Sequence, residues 1–206
     1  MPNTTINNIV DCVNSGIRRA VKDQLELTGE LEMSWGPEYF ITASIARELK
    51  KLVSAKIVLE ENMKDSFETP KGRRPAWFSP TSRFDIVVRK SNGRPGAAIE
   101  VKNRVYSVSE SITNDIERLS GAVNKNVGDE PAFQFGIFAF YTVFEDAKFT
   151  RKSTSKAILD LYDRLKDKFE YERGNATVSD RLIKPIRYRE LSGMTWGGGC
   201  IFFRSS

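Results

Sequence analysis

Asp85, Glu100 and Lys102 are the residues of this chain whose types and spacing could do chemistry. Glu100 and Lys102 are separated by one residue in Ala97-Ala98-Ile99-Glu100-Val101-Lys102-Asn103. On a strand, where side chains alternate, both point to one face while Ile99 and Val101 point into a core. Asp85 lies in the preceding alternating run, Phe84 to Arg89. A two-residue turn centred on Asn92-Gly93 would set Asp85 directly across from Glu100. Opposed residues have Cβ atoms about 4.5–5.5 Å apart, close enough for two carboxylates to share one cation. Hard oxygen ligands suit Mg²⁺ or Mn²⁺. Such an ion can polarise a phosphoryl group and acidify a bound water. Lys102 beside that water could orient it, deprotonate it, or neutralise the charge of a transition state; the residues leave all three roles open.

Composition narrows the chemistry further. The chain has 206 residues and no histidine, so a Ser-His-Asp triad or a Cys-His pair is excluded. With Cys12 and Cys200 its only cysteines, four soft zinc ligands cannot be assembled. The two thiols are expected to be free, in a reducing cytoplasm. No apolar run approaches the roughly 20 residues that span a bilayer, and the N-terminus reads as no signal peptide, so no membrane partner is expected. Net charge is +5 with a pI of about 9.2. From Lys71 to Arg104 nine basic residues stand against only Asp85 and Glu100. The spacing therefore predicts a positive field around two isolated carboxylates, a footprint for a polyanion.

The elements that must position these residues read as one α/β domain, a mixed β-sheet flanked by helices. Ile6, Ile9, Val10, Val13, Ile17 and Val21 predict a helix from Asn3 to Leu27, with Gly16 a candidate kink. A second helix begins at Pro37 and carries Ile41, Ile45, Leu49 and Leu52. Lys56–Leu59 reads as a short strand, followed by the Phe84–Arg89 and Ala97–Asn103 hairpin. Ser107 and Glu110 have capping-box spacing ahead of a helix with Ile112, Ile116, Leu119 and Val123 on its stripe. The almost wholly apolar Ala132–Phe144 suits a strand covered on both faces. A helix over Ser155–Phe169 and strands near Lys184–Glu190 and Gly199–Phe203 complete the order α-α-β-β-β-α-β-α-β-β. Residues 1–30 form an N-terminal helical segment, 37–144 the core that carries the chemistry, and 150–206 a C-terminal helix and strands. Asp115 and Arg118 read as an ordinary surface pair at i, i+3 spacing. Trp77, Phe78 and Trp196 read as packing residues ahead of base-stacking ones, and Gly197-Gly198-Gly199 is no phosphate loop because it precedes a strand.

Asp85, then Glu100-Val101-Lys102 on the next strand, then a helix and an apolar strand, resembles the PD-(D/E)xK nuclease superfamily with its restriction-endonuclease-like fold. The resemblance spans roughly Pro37 to Phe144; Phe84 stands where the name-giving proline would be. It implies a metal-dependent hydrolase of phosphodiester bonds in nucleic acid, DNA ahead of RNA, with Mg²⁺ or Mn²⁺ as cofactor. It also implies that Glu38, early in the second helix, joins Asp85, Glu100 and Lys102 as a catalytic residue. Glu38, Asp85, Glu100 and Val101 are then the expected metal set. An acid in a first helical turn also simply complements the helix dipole. Arg73, Arg74, Arg83, Asn103 and Arg104 are the expected nucleic-acid contacts. Cutting two strands can use two sites, so a homodimer is compatible with this reading. The competing reading is a nucleic-acid-binding module of the same fold without cleavage. A two-carboxylate glycosidase would need an acid of raised pKa, which a basic setting opposes.

Overall fold

Thr5 lies in extended backbone and its side chain accepts the Asn8 N–H at 3.4 Å, which starts helix α1 (Ile6–Thr28). Gly29 ends it at φ 72°, its N–H donating to the Leu25 carbonyl at 2.8 Å. Glycine takes that left-handed turn without the cost a side chain would add. The computed structural model describes residues 5–29, 38–52, 55–63, 82–124, 126–127, 130–145, 151–187 and 194–206. Ile9, Val10, Val13, Ile17 and Val21 are all buried, as their helical spacing predicts. The helix runs through Gly16 without a break. The missing side chain serves packing instead, since a Cβ there would lie 2.4 Å from Ile45 Cα. Helix α2 (Glu38–Leu49) thereby packs closely on α1, with Ile41, Ile45 and Leu49 buried.

Strands β1 (Lys56–Asn62), β2 (Arg83–Arg89) and β3 (Pro95–Lys102) form an antiparallel meander. Helix α3 (Glu110–Asn124) then carries the chain across the sheet, as a parallel connection requires. A small ribbon, β4 (Asn126–Val127) with β5 (Glu130–Pro131), precedes β6 (Phe135–Glu145), which lies parallel to β3. Helix α4 (Arg151–Glu172) leads to β7 (Thr177–Arg187) and β8 (Met194–Arg204). The six-stranded sheet has the order β1-β2-β3-β6-β8-β7, antiparallel except at β3–β6. The class is therefore mixed α/β, and among the described residues the element order is the one expected from the sequence plus the small ribbon. One apolar core lies between the sheet and α1–α2; the other lies between the sheet and α3–α4. Among the described residues no helix is long and apolar enough to cross a membrane.

The hairpin that carries the candidate site reaches the expected register by an unexpected route. No two-residue turn joins β2 to β3. Gly93 N–H donates to the Lys90 carbonyl and Lys90 N–H to the Arg94 carbonyl, both at 2.9 Å, with Gly93 at φ 82°. That is a three-residue loop with glycine in the left-handed position, and alone it would shift the pairing by one residue. Gly96 shifts it back: Val88 pairs with Ala97 while Arg89 pairs with Pro95, leaving Gly96 as a bulge. The two departures cancel, so Ile86 still faces Ile99. The cap of α3 also differs from expectation. Ser109, not Ser107, is its first-turn partner, accepting the Ile112 N–H at 3.4 Å.

Candidate active site

The β2–β3 ladder closes at the Ile86–Ile99 pair, and the Asp85 side chain takes over beyond it. Asp85 Oδ2 accepts the Val101 N–H at 2.6 Å. Val101, expected among the metal ligands, thus enters the site through its N–H, while its side chain packs in the core beneath α1 and α2. Glu100 and Lys102 follow Ala98 in strand phase and face α3. Glu100 is enclosed there, only 2% exposed. A carboxylate cannot be enclosed this way without a partner, and α3 supplies one. Arg118 Nη2 donates to Glu100 Oε1 at 2.8 Å, and Arg118 Nε reaches the same oxygen at 3.3 Å.

Lys102 stands where both helices reach β3. Its Nζ lies 3.3 Å from Glu38 Oε1, in the first turn of α2, and 3.1 Å from Asp115 Oδ2 on α3. Arg118 also bonds Asp115 Oδ1. Glu38, Lys102, Asp115, Arg118 and Glu100 therefore form one chain of alternating charge, with Asp85 beside it. The second oxygen of Glu38 accepts the Asn103 N–H at 3.3 Å. Glu38 is thus brought to the end of β3 as the sequence suggested, but as the partner of Lys102 and Asn103. Among the described residues no three acidic side chains are gathered to hold one metal ion.

The electrostatics follow from burial. Burial pushes the Glu100 carboxyl well above the usual carboxylate range, with Asp85 and Asp115 adding to the rise and Arg118 opposing it. Burial also raises Asp85, against the Val101 N–H and the Lys102 charge. For Lys102 burial works against the charged form, yet Asp115 and Glu38 outweigh it, and the ammonium is held more firmly than usual. Four carboxylates stand against two cations in this cluster, a formal excess of two negative charges.

Asp115 and Arg118 are the residues that sequence reasoning set aside. Asp115 is 4% exposed and belongs to the cluster, so the surface-pair reading is corrected. The signal was present: Asp115 lies one residue before Ile116 on the buried stripe of α3, and a charge there needs a buried partner. The described part of the basic segment is divided between the two ends of the hairpin. Lys90 and Arg94 flank the hairpin turn, at the opposite end of β2 and β3 from the site. Arg89 is committed to Glu61, through Nε at 3.1 Å and through Nη2. Arg83 lies at the site end of β2 and donates to Asn62 Oδ1 at 3.2 Å. Arg104, exposed and at φ 57°, follows Asn103 directly. Arg73 and Arg74, like Trp77 and Phe78, lie outside the described residues. Trp196 is a core residue, its ring 5.9 Å from that of Tyr141, and Gly197-Gly198-Gly199 lies within β8. Compared with known proteins, the chain matches no family model, no curated protein and no solved structure.

Proposed function

We propose that this protein is a divalent-metal-dependent nuclease, acting on DNA before RNA, with its site at the Asp85–Glu100–Lys102 end of the β2–β3 hairpin. The observation that carries the reading is the convergence of Asp85, Glu100, Lys102 and Glu38 at one end of β3, with Lys102 held charged. The donor set suits a hard cation: all-oxygen, and short of positive charge by two. Asp85 and Glu100 would hold Mg²⁺ or Mn²⁺. That ion supplies Lewis-acid polarisation of a phosphoryl group and acidification of a water. Glu38 and Asp115 aim the Lys102 ammonium and keep it protonated, which suits it to stabilise negative charge on phosphate oxygens. Of the three roles open to Lys102, deprotonating the water fits this setting least. Asp85 also fixes the β3 backbone through Val101, so the scaffold and the site share one hydrogen bond. Incubation of plasmid and single-stranded DNA with Mg²⁺, Mn²⁺ or EDTA tests the reading. Cleavage that requires the metal is expected, and unchanged cleavage in EDTA would exclude it.

One observation favours a second reading, a nucleic-acid-binding module without cleavage. Arg118 already neutralises Glu100 through two contacts to one oxygen. A site whose buried carboxylate is satisfied by its own arginine can exist for stability alone. Binding of DNA with no cleavage in either metal, and no metal uptake by calorimetry, would decide for the module.

A further inference from the structure

Just past the candidate site the chain makes an unusual turn. Arg104 takes a left-handed conformation at φ 57°, which costs a side-chain-bearing residue free energy and persists only where the surroundings impose it. Val105 then docks, its N–H donating to the Tyr141 carbonyl at 3.0 Å, and is buried. The result is to lift Tyr106 out. Tyr106 is 42% exposed, and its ring and that of Phe144 form a T-shaped pair, centres 5.6 Å apart and planes at 84°. The Arg104 guanidinium lies 5.9 Å from the Tyr106 ring centre. Between this ring pair and α4 opens a cavity of about 510 Å³, lined by Tyr106, Phe144, Ala157, Asp160, Asp163 and Arg164. Because β3 and β6 are parallel, the cavity lies at the same carboxyl end of the strands as Lys102.

We infer that this cavity is a subsite for one unpaired nucleobase, and that the preferred substrate is accordingly single-stranded nucleic acid. The inference rests on the nucleic-acid reading of the site and adds the strand state and the base chemistry. Tyr106 is half-exposed and lines the cavity, with the Arg104 guanidinium over its ring and the Phe144 ring at right angles to it, so it offers aromatic surface on which a base can stack. A cavity of this volume admits one base, whereas a paired base is closed to an aromatic face by its neighbours in the stack. Asp160 and Asp163 are acceptors only, so they favour bases with an exocyclic amino donor, adenine, cytosine and guanine, over thymine, whose single donor is its ring N3–H. Arg164, on the same helix, offers the counter-charge for an adjoining phosphate.

Direct binding in EDTA tests this without cleavage. Fluorescein-labelled dT₁₂, dC₁₂ and a 12-base-pair duplex are titrated by anisotropy with the parent, Tyr106→Ala, Tyr106→Phe and Asp163→Asn. Stacking on one aromatic is worth about five- to hundredfold in affinity. Tyr106→Ala is expected to weaken dC₁₂ binding by that factor and leave the duplex unchanged, while Tyr106→Phe stays within about twofold of the parent. The parent should favour dC₁₂ over dT₁₂, and Asp163→Asn should level the two. Ala157→Leu, which adds bulk to the cavity from α4 and leaves Tyr106 in the sequence, should reproduce the Tyr106→Ala loss and covers the case in which that variant fails to fold. Parent-like binding of dC₁₂ by folded Tyr106→Ala and Ala157→Leu would overturn the subsite and leave the nuclease reading standing. An equal loss for single strand and duplex would overturn it too. A parent that binds none of the three probes would remove both the subsite and the nucleic-acid reading.

Discussion

The two halves of the sheet bury different things. Along β6, β8 and β7 the interior is aromatic and aliphatic: Phe138, Phe140 and Phe203 are at most 1% exposed, and Phe169 of α4 stacks on Phe203 at 4.5 Å. The β6–β8 ladder runs from Phe135–Arg204 to Glu145–Met194 without a shift. Along β2 and β3 the interior includes Glu100 and, from α3, Asp115, with Asp85 half-buried beside them, and the ladder carries a bulge at Gly96. Apolar burial is non-directional and tolerates any partner of the right shape. Buried charge is not tolerant, because each group needs a counter-charge at hydrogen-bond distance. The first half is built for stability, and the second spends some of it to hold charge in place.

Four measurements would break or sharpen this contrast. In the apolar half, Phe138→Ala should lower the unfolding free energy by about 3–5 kcal/mol, as read by denaturant titration, because the ring is fully buried against Phe140 and Phe169. In the charged half, Lys102→Ala should lower cleavage by about 10²–10³, on the order of 3–4 kcal/mol. Asp85→Ala should lower metal affinity and cleavage together, whereas Lys102→Ala should leave metal binding by calorimetry intact. Parent-like cleavage by either folded variant would reduce the cluster to a structural ion network.

Gly198→Ala probes the close approach that the aromatic half needs. A Cβ there would lie 2.5 Å from the Phe140 carbonyl oxygen, so a loss of about 1–3 kcal/mol is expected. An unchanged melting temperature would show that β6 and β8 can part at little cost.

The smallest effect is the dependence on pH, and the two halves should differ in sign. Glu100 and Asp85 titrate above their ordinary values in the fold, so the native state holds more protons than the unfolded chain between about pH 4 and those raised values. Their contribution to stability therefore grows as pH falls from neutral into that window. Asp180 on β7 is the opposite case. Burial opposes its charge, but the Tyr162 hydroxyl and Lys166, at 2.9 Å, outweigh that and lower it. Its contribution is present above the ordinary carboxylate range and is lost as pH falls below it. Melting curves for Glu100→Gln and Asp180→Asn should thus diverge from the parent in opposite directions with pH. Parallel curves would show that Glu100 is not held at a cost.

The sequence by itself determined the element order and the faces that pack. Periodicity is a local property, so Ile9, Val13 and Ile17 declare a buried helix face, and the continuous apolar run at β6 declares a strand covered twice. The same alternation set Glu100 and Lys102 on one face of β3 and put Asp85 on the neighbouring strand. The tertiary structure decided everything that depends on distant partners. Arg118 neutralises Glu100 only because α3 crosses from β3 to β6 over that face, and helical spacing alone made Asp115 and Arg118 look like a surface pair. The basic run from Lys71 to Arg104 looked like one field because charge was counted along the chain. In space the hairpin carries Lys90 and Arg94 to its far end, and Arg89 is consumed by Glu61 on β1. Even the Asp85–Glu100 register depended on two compensating irregularities, the Gly93 loop and the Gly96 bulge. Composition and periodicity see what each residue is and which way it faces; only the fold decides which opposite charge it meets there.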